Sequence, residues 1–160
     1  MEIEIAFPKD AYAVGEVHSN AWKSAYRGIF PDEYIEQDSP VKRRNEFLES
    51  IQSDQCTYLV IKDSDKIVGI VKLDKCTTAI EIESIYILEE YRGKSLGKKA
   101  IDHIKSTWPD KNIFLWVLEA NNAARRFYEK NGFMLTNDVR MIQRGSAFKQ
   151  CRYELQSYLG

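Results

Sequence analysis

The sequence predicts an α/β domain built on a mixed, mostly antiparallel central sheet, with one parallel strand pair and helices on both faces. Three observations predict it. Residues 79–118 read as strand, helix, strand, and such a crossover makes its two strands parallel. The neighbouring strands are joined by links of hairpin length and must run antiparallel. The stretch NIFLWVL (112–118) is apolar almost throughout, as in a strand buried on both faces.

Each element follows from its residues in order. Residues 2–7 alternate at Ile3, Ile5 and Phe7, a first strand stopped by Pro8. From Asp10, a residue suited to an N-cap, Val14, Val17, Ala21 and Ala25 fall on one helical face. Gly28 and Pro31 interrupt that face. A second helix follows Ser39-Pro40, with Val41, Phe47, Leu48 and Ile51 as its apolar positions. Residues 57–61 and 67–73 are β-rich runs joined by Lys62-Asp63-Ser64-Asp65-Lys66, a hairpin signal.

Residues 79–88 form the longest strand. In the helix that follows (95–107), Leu96, Ala100, Ile101, Ile104 and Trp108 share one side, and Pro109 stops it. Residues 121–130 are helical and end at Asn131-Gly132. Residues 133–136 and 150–158 read as closing strands, the latter alternating at Cys151, Tyr153 and Leu155. The order is β-α-α-β-β-β-α-β-α-β-β. No repeat or linker divides it, so residues 1–160 read as one domain.

A chain of 160 residues, 44% hydrophobic and 29% charged, fits that reading. A domain this size buries roughly 70% of the surface its unfolded chain exposes. No apolar run approaches the ~20 residues of a membrane helix, and residues 1–4 carry acids where a signal peptide is basic. A cytoplasmic protein with no membrane partner is expected. Cys56, Cys76 and Cys151 lie far apart without a C-x-x-C pair, and His18 and His103 lack carboxylates at ligand spacing. Neither a disulfide framework nor a metal site is expected. Residues 91–132 hold nine Lys/Arg against four Asp/Glu, whereas the rest of the chain holds 14 against 20. A basic segment in a mildly acidic protein points to a small anionic ligand rather than nucleic acid.

That segment opens with Arg92-Gly93-Lys94-Ser95-Leu96-Gly97, where a strand runs directly into a helix. Small residues let the backbone approach a ligand, and the first N–H groups of the helix are unpaired. With the helix dipole they suit a pyrophosphate. Helical periodicity from Leu96 onward favours a helical backbone at Ser95, with its hydroxyl free to donate to a phosphate. Gly93-Lys94-Ser95 matches the end of a Walker A loop, but the first Gly of that loop would be Leu88. A G-x-G-x-x-G run is absent. A P-loop nucleotide hydrolase therefore fails.

Together with NNAARRFYEKNGF (121–133), the loop resembles the GNAT superfamily of acyl-CoA-dependent N-acetyltransferases. Arg92 and Gly97 match the ends of the family's Gln/Arg-x-x-Gly-x-Gly/Ala loop, while Ser95 departs from its middle Gly. Asn121, Ala124, Tyr128, Glu129, Lys130, Gly132 and Phe133 match N-x-x-A-x-x-x-Y-E-K-x-G-F. The element order is the GNAT order, so the resemblance covers most of residues 1–158.

The resemblance implies acetyl-CoA as cosubstrate, no metal, and an amine acceptor. It implies that Ile85, Tyr86 and Ile87 pair their backbone with the pantetheine arm and thioester carbonyl. Arg92, Gly93, Lys94, Ser95, Leu96, Gly97 and Lys98 would hold the pyrophosphate. Asn121 would contact the pantetheine, or mark where strand 112–118 splays from strand 79–88; as a helix N-cap it has a purely structural role open to it. Ala124 shares its helical face, and Tyr128 would stand near the sulfur as general acid. Glu81 and Glu83 match positions that carry catalytic acids in some members, and their alternation puts both on one side of the strand. Other members carry a Glu five residues before the Asn; here that position is Trp116.

The acceptor site would draw on Trp22 and Tyr26, one helical turn apart, and on Asp32 and Glu33 in an acidic stretch. Such a cleft suits a small cationic amine or polyamine, with a peptide amine left open. A GNAT fold that senses acyl-CoA without turnover is the rival reading, and only Ser95 favours it. A homodimer is also left open.

Overall fold

In the computed structural model, which describes residues 1–156, the elements run in the following order. The first half holds β1 (Glu2–Ile5), α1 (Ala11–Tyr26), α2 (Asp32–Glu36), α3 (Pro40–Ser50), β2 (Cys56–Asp63) and β3 (Lys66–Lys75). The second holds β4 (Ala79–Ile87), α4 (Leu96–Thr107), β5 (Asn112–Leu118), α5 (Asn122–Lys130), β6 (Met134–Gln143) and β7 (Ala147–Leu155). The described strands form one sheet in the order β1-β2-β3-β4-β5-β7-β6. Only β4 and β5 pair in parallel, as the crossover through α4 requires.

Each face of the sheet has its own apolar core. Leu96, Ala100, Ile101 and Ile104 of α4 bury against Ile80, Ile82, Ile113 and Leu115 on one face, with α5 beside them. Val14 and Val17 of α1 and Phe47 of α3 bury against Tyr58, Val60 and Ile70 on the other. Each such side chain contributes about 1.5–3 kcal/mol. The apolar spacing of α1 and α4 thus decides which side of each helix meets the sheet.

The feature that positions the site is a bulge in β4. Lys72 opposes Ser84 whereas Leu73 opposes Ile82, so Glu83 is the extra residue. A bulge bends its strand and shifts the side-chain alternation by one. Ile80 and Ile82 face α4, and so do Ile85 and Ile87, while Tyr86 turns toward α1. β4 and β5 stay paired only from Ala79↔Asn112 to Glu81↔Phe114 and then part. The splay therefore begins at Phe114, well before Asn121.

Several expectations need correction. The Asp10 side chain makes no cap bond to α1; it accepts instead from Phe7 N at 2.9 Å. Val41 and Leu48 of α3 remain exposed, leaving Phe47 as its buried anchor. β5 is not buried equally on both faces: Phe114 and Trp116 are covered by the guanidiniums of Arg152 and Arg140, at 4.2 and 4.5 Å from the rings. β6 is ten residues long rather than four, and β7 starts at Ala147. This hairpin ends the sheet, so its outer strand carries exposed polar and apolar residues together, and burial leaves little pattern in the sequence. Positions 157–158 of the expected closing strand lie outside the described residues.

Candidate active site

The loop after β4 is shaped by two left-handed residues, Gly93 (φ +78) and Ser95 (φ +62). The helical backbone expected at Ser95 is therefore wrong, and its side chain makes no cap bond to α4. A left-handed L-residue costs roughly 1–2 kcal/mol, which Gly would avoid at some expense in unfolded-chain entropy. Ser95→Gly is expected to raise stability by about 0.5–1 kcal/mol, read as a melting temperature ~1–4 °C higher. An unchanged or lower melting temperature would show that the turn is not strained.

Gly97 fixes the next contact. A Cβ there would stand 2.7 Å from the Phe127 ring, so only glycine lets the first turn of α4 touch α5. Asn121 caps α5, its Oδ1 accepting from Ala124 N at 3.2 Å, which gives the structural reading of Asn121 its geometry. α5 in turn carries Tyr128, whose ring contacts Phe127 and Phe133 with centroids at 5.2 and 5.5 Å. Burial, and secondarily the nearby Tyr26, push the Tyr128 phenol above its ordinary pKa.

Between loop and helix lies the gap opened by the splay. Leu88 N donates to Val68 O at 3.0 Å, which sets the alternation of the β3–β4 ladder. Tyr86 bonds toward β3, and Ile85 and Ile87 turn their N–H and C=O groups to the open edge. Arg92 Nε already donates to Ile87 O at 3.3 Å. An open strand edge, a left-handed anion turn and a helix N-terminus thus fit an extended, amide-bearing arm that ends in phosphate.

The cavity at this gap has a volume of about 1130 Å³ and continues through the sheet to the α1 side. Ile85, Tyr86, Ile87, Arg92, Gly93 and Ser95 line it, followed by Leu96, Gly97, Lys98, Asn121, Ala124 and Tyr128. Lys94 does not; its ammonium lies 5.0 Å from the Tyr91 ring instead. Glu81 and Glu83 both line the cavity, and their carboxylates converge with that of Asp74 within 4.8 Å. Burial first, then the Glu83 charge, raise the Glu81 carboxyl above its usual range. Glu83 is more exposed and pairs with Lys72 at 3.6 Å.

Trp22 and Tyr26 line the α1 side of the cavity, and Tyr86 donates its hydroxyl to that of Tyr26 at 3.4 Å. Asp32 and Glu33 do not reach the cavity, a correction to the acidic-cleft reading. They begin α2, whose inward face is Tyr34 and the fully buried Ile35, so both acids point to solvent. The other acids of that stretch are paired, Glu36 with Arg27 and Asp38 with Arg43.

Sequence reasoning missed the charges that do line this half: Arg43 and Glu46 of α3, Lys72 of β3, and Arg140 and Arg144 near the β6–β7 turn. It also missed His18, 2% exposed, stacked on Tyr86 at 5.1 Å with Nδ1 unpartnered. Burial, with Arg43 and Lys72 adding, takes the His18 imidazole down to about 3. The Arg144-Gly145-Ser146 run was the one available signal, marking a turn.

An open strand edge beside an anion-binding turn, continuous with a charged compartment on the other side of the sheet, gives room for two substrates to meet. The chain belongs to the acetyltransferase (GNAT) family, whose members use acetyl-CoA: residues 9–133 match the family. A spermidine N(1)-acetyltransferase of Thermoplasma acidophilum is 28% identical over 141 residues, 83% of this chain and 88% of that one. A spermine/spermidine N(1)-acetyltransferase of Bacillus subtilis is 34% identical over 62 residues, 36% of this chain and 41% of its own. The crystal structure of the PaiA N-acetyltransferase from Thermoplasma acidophilum in complex with coenzyme A has a TM-score of 0.73 at 27% identity. That similarity covers 97% of this chain and 100% of the other. Among the described residues, no helix is long and apolar enough to cross a membrane.

Proposed function

We propose that the protein transfers the acetyl group of acetyl-CoA to a small primary amine by direct attack within a ternary complex. The observation that carries this reading is the continuous cavity joining the open edge at Ile85 and Ile87 to Glu81, with Tyr128 beside the gap. Arg92 through Lys98 bind the pyrophosphate, with Lys94 acting only through charge. Ile85 and Ile87 orient the pantetheine amides, and Ile87 N–H donates to the oxyanion as the carbonyl is attacked, a contact typically worth ~10²–10³ in rate.

Glu81, its basicity raised by burial, takes the ammonium proton through water and leaves the amine nucleophilic; Glu83 holds the ammonium beforehand. As the C–N bond forms and the C–S bond breaks, Tyr128 passes its phenolic proton to the departing sulfur. Much of the remaining acceleration is proximity, since a thioester is already activated. Two of the relatives are named as polyamine acetyltransferases, which supports an amine acceptor, and the Glu81–Glu83 pair suits any acceptor that presents an ammonium.

The test is CoA release on mixing acetyl-CoA with primary amines, with the acetylated amine identified by mass spectrometry. Acetyl-CoA is also expected to raise the melting temperature far more than ATP or NAD; binding at 100 times Kd stabilises by about 2.7 kcal/mol. A thermal shift without turnover of any amine would make the protein an acyl-CoA sensor. A larger shift with ATP would remove the site assignment altogether.

A further inference from the structure

Four cations line the acceptor half of the cavity, and they are not equivalent. Arg43 is neutralised by Asp38 at 2.7 Å and Glu46 at 3.2 Å. Lys72 lies 3.6 Å from both Glu46 and Glu83. Arg140 and Arg144 meet no carboxylate at ion-pair distance among the described residues. Arg140 is exposed at the cavity rim, where its charge also acts on Glu81, and Arg144 is half-buried; with neither guanidinium held in an ion pair, both are free to bind an anion that enters the cavity.

Both are held in place. Arg140 Nε donates to Gln150 Oε1 at 2.6 Å while the guanidinium stacks over Trp116, which leaves the paired Nη groups for a ligand. Arg144 donates through Nη1 to Gln143 O at 2.7 Å. Its turn is seated by Gly145 (φ +78), where a Cβ would stand 3.1 Å from both Pro31 and Tyr34. By register, Arg140, Gln150 and Trp116 share the sheet face of Glu81. The pyrophosphate turn opens α4, which covers the opposite face, so the cosubstrate's phosphates do not account for these two charges.

We propose that Arg140 and Arg144 form an oxyanion subsite, and that the acceptor is a primary amine carrying a carboxylate or phosphate at its other end. The proposal rests on the acetyl-transfer reading and narrows it. Glu81 and Glu83 take the ammonium, and the planar fork of Arg140 takes two oxygens side by side. A polyamine would instead bring a second ammonium against unpaired guanidiniums.

The experiment compares four acceptors of equal chain length at saturating acetyl-CoA: an ω-amino acid, its carboxamide, an aminoalkyl phosphate and a diamine. An oxyanion acceptor is expected to exceed both carboxamide and diamine at least tenfold in kcat/KM, and the two oxyanions reveal which one the site reads. Arg140→Gln and Arg144→Gln should each raise the KM for that acceptor at least tenfold, with the loss carried by KM rather than kcat. A retained acetyl-CoA thermal shift shows that the variants are folded. If carboxamide or diamine is used as well as the oxyanions, or both variants keep the parent KM, the subsite is refuted while acetyl transfer stands. CoA release with none of the four, from protein that binds acetyl-CoA, overturns both.

Discussion

Tyr128→Phe is expected to lower kcat by something on the order of 10–10³ while leaving acetyl-CoA binding and folding nearly unchanged. The ring packs against Phe127 and Phe133, and phenylalanine keeps those contacts. Only the hydroxyl is lost, and with it the proton for a thiolate that becomes strongly basic late in C–S cleavage. Because burial raises the phenol, it stays protonated past the ordinary pKa of ~10. The alkaline limb that belongs to it therefore lies above that value in the parent and disappears in the variant. An unchanged kcat, with chemistry shown to be rate-limiting, would make Tyr128 a packing residue and leave water to protonate the sulfur.

The parts of the site that sequence reasoning reached are those whose chemistry is local in the chain. Gly93 and Gly97 announce a close approach of backbone, and Asn121, Ala124 and Tyr128 recur at helical spacing. The left-handed backbone of Ser95 is hidden in the sequence because helical periodicity begins one residue later, at Leu96, and says nothing about the φ before it. Whether Asn121 marks the splay stays open in the sequence, because the bulge at Glu83 and the parting of β4 from β5 after Phe114 depend on how the strands meet, which composition does not encode.

The acceptor half was the least legible. Its charges come from positions 43, 72, 140 and 144, brought together only by the sheet order and by the packing of α3 beside α1. Asp32 and Glu33 looked like a cleft because they cluster in sequence, yet α2 buries Ile35 and turns them outward.

Acid should destabilise the protein through His18. Its folded pKa is depressed from 6.5 to about 3, so between those values the unfolded chain binds a proton that the folded one does not. Stability is then full above the unfolded value and falls as pH drops below it, by ~2 kcal/mol at pH 5 and on the order of 4–5 kcal/mol near pH 3. Other groups titrate in the same range, so the informative quantity is the difference from His18→Phe. Phenylalanine keeps the stack on Tyr86 and removes the unpartnered Nδ1. Urea unfolding at pH 7 and pH 5 should show the variant gaining about 2 kcal/mol on the parent between the two. Equal losses in both proteins would mean that His18 is hydrated or protonated in the folded state.

The positions of the cysteines bear on whether the acetyl group passes directly to the amine. Cys151 is buried beneath the α4 core, Cys56 is half-buried in β2, and Cys76 is exposed after β3. None of the three lines the cavity, so no thiol stands where it could carry the acetyl group between substrates. The decisive measurement is the initial-velocity pattern with acetyl-CoA and amine varied together. Intersecting double-reciprocal lines, with no exchange of label between CoA and acetyl-CoA in the absence of amine, are the predicted result. Parallel lines accompanied by that exchange would reveal an acetyl-enzyme and contradict transfer within a ternary complex.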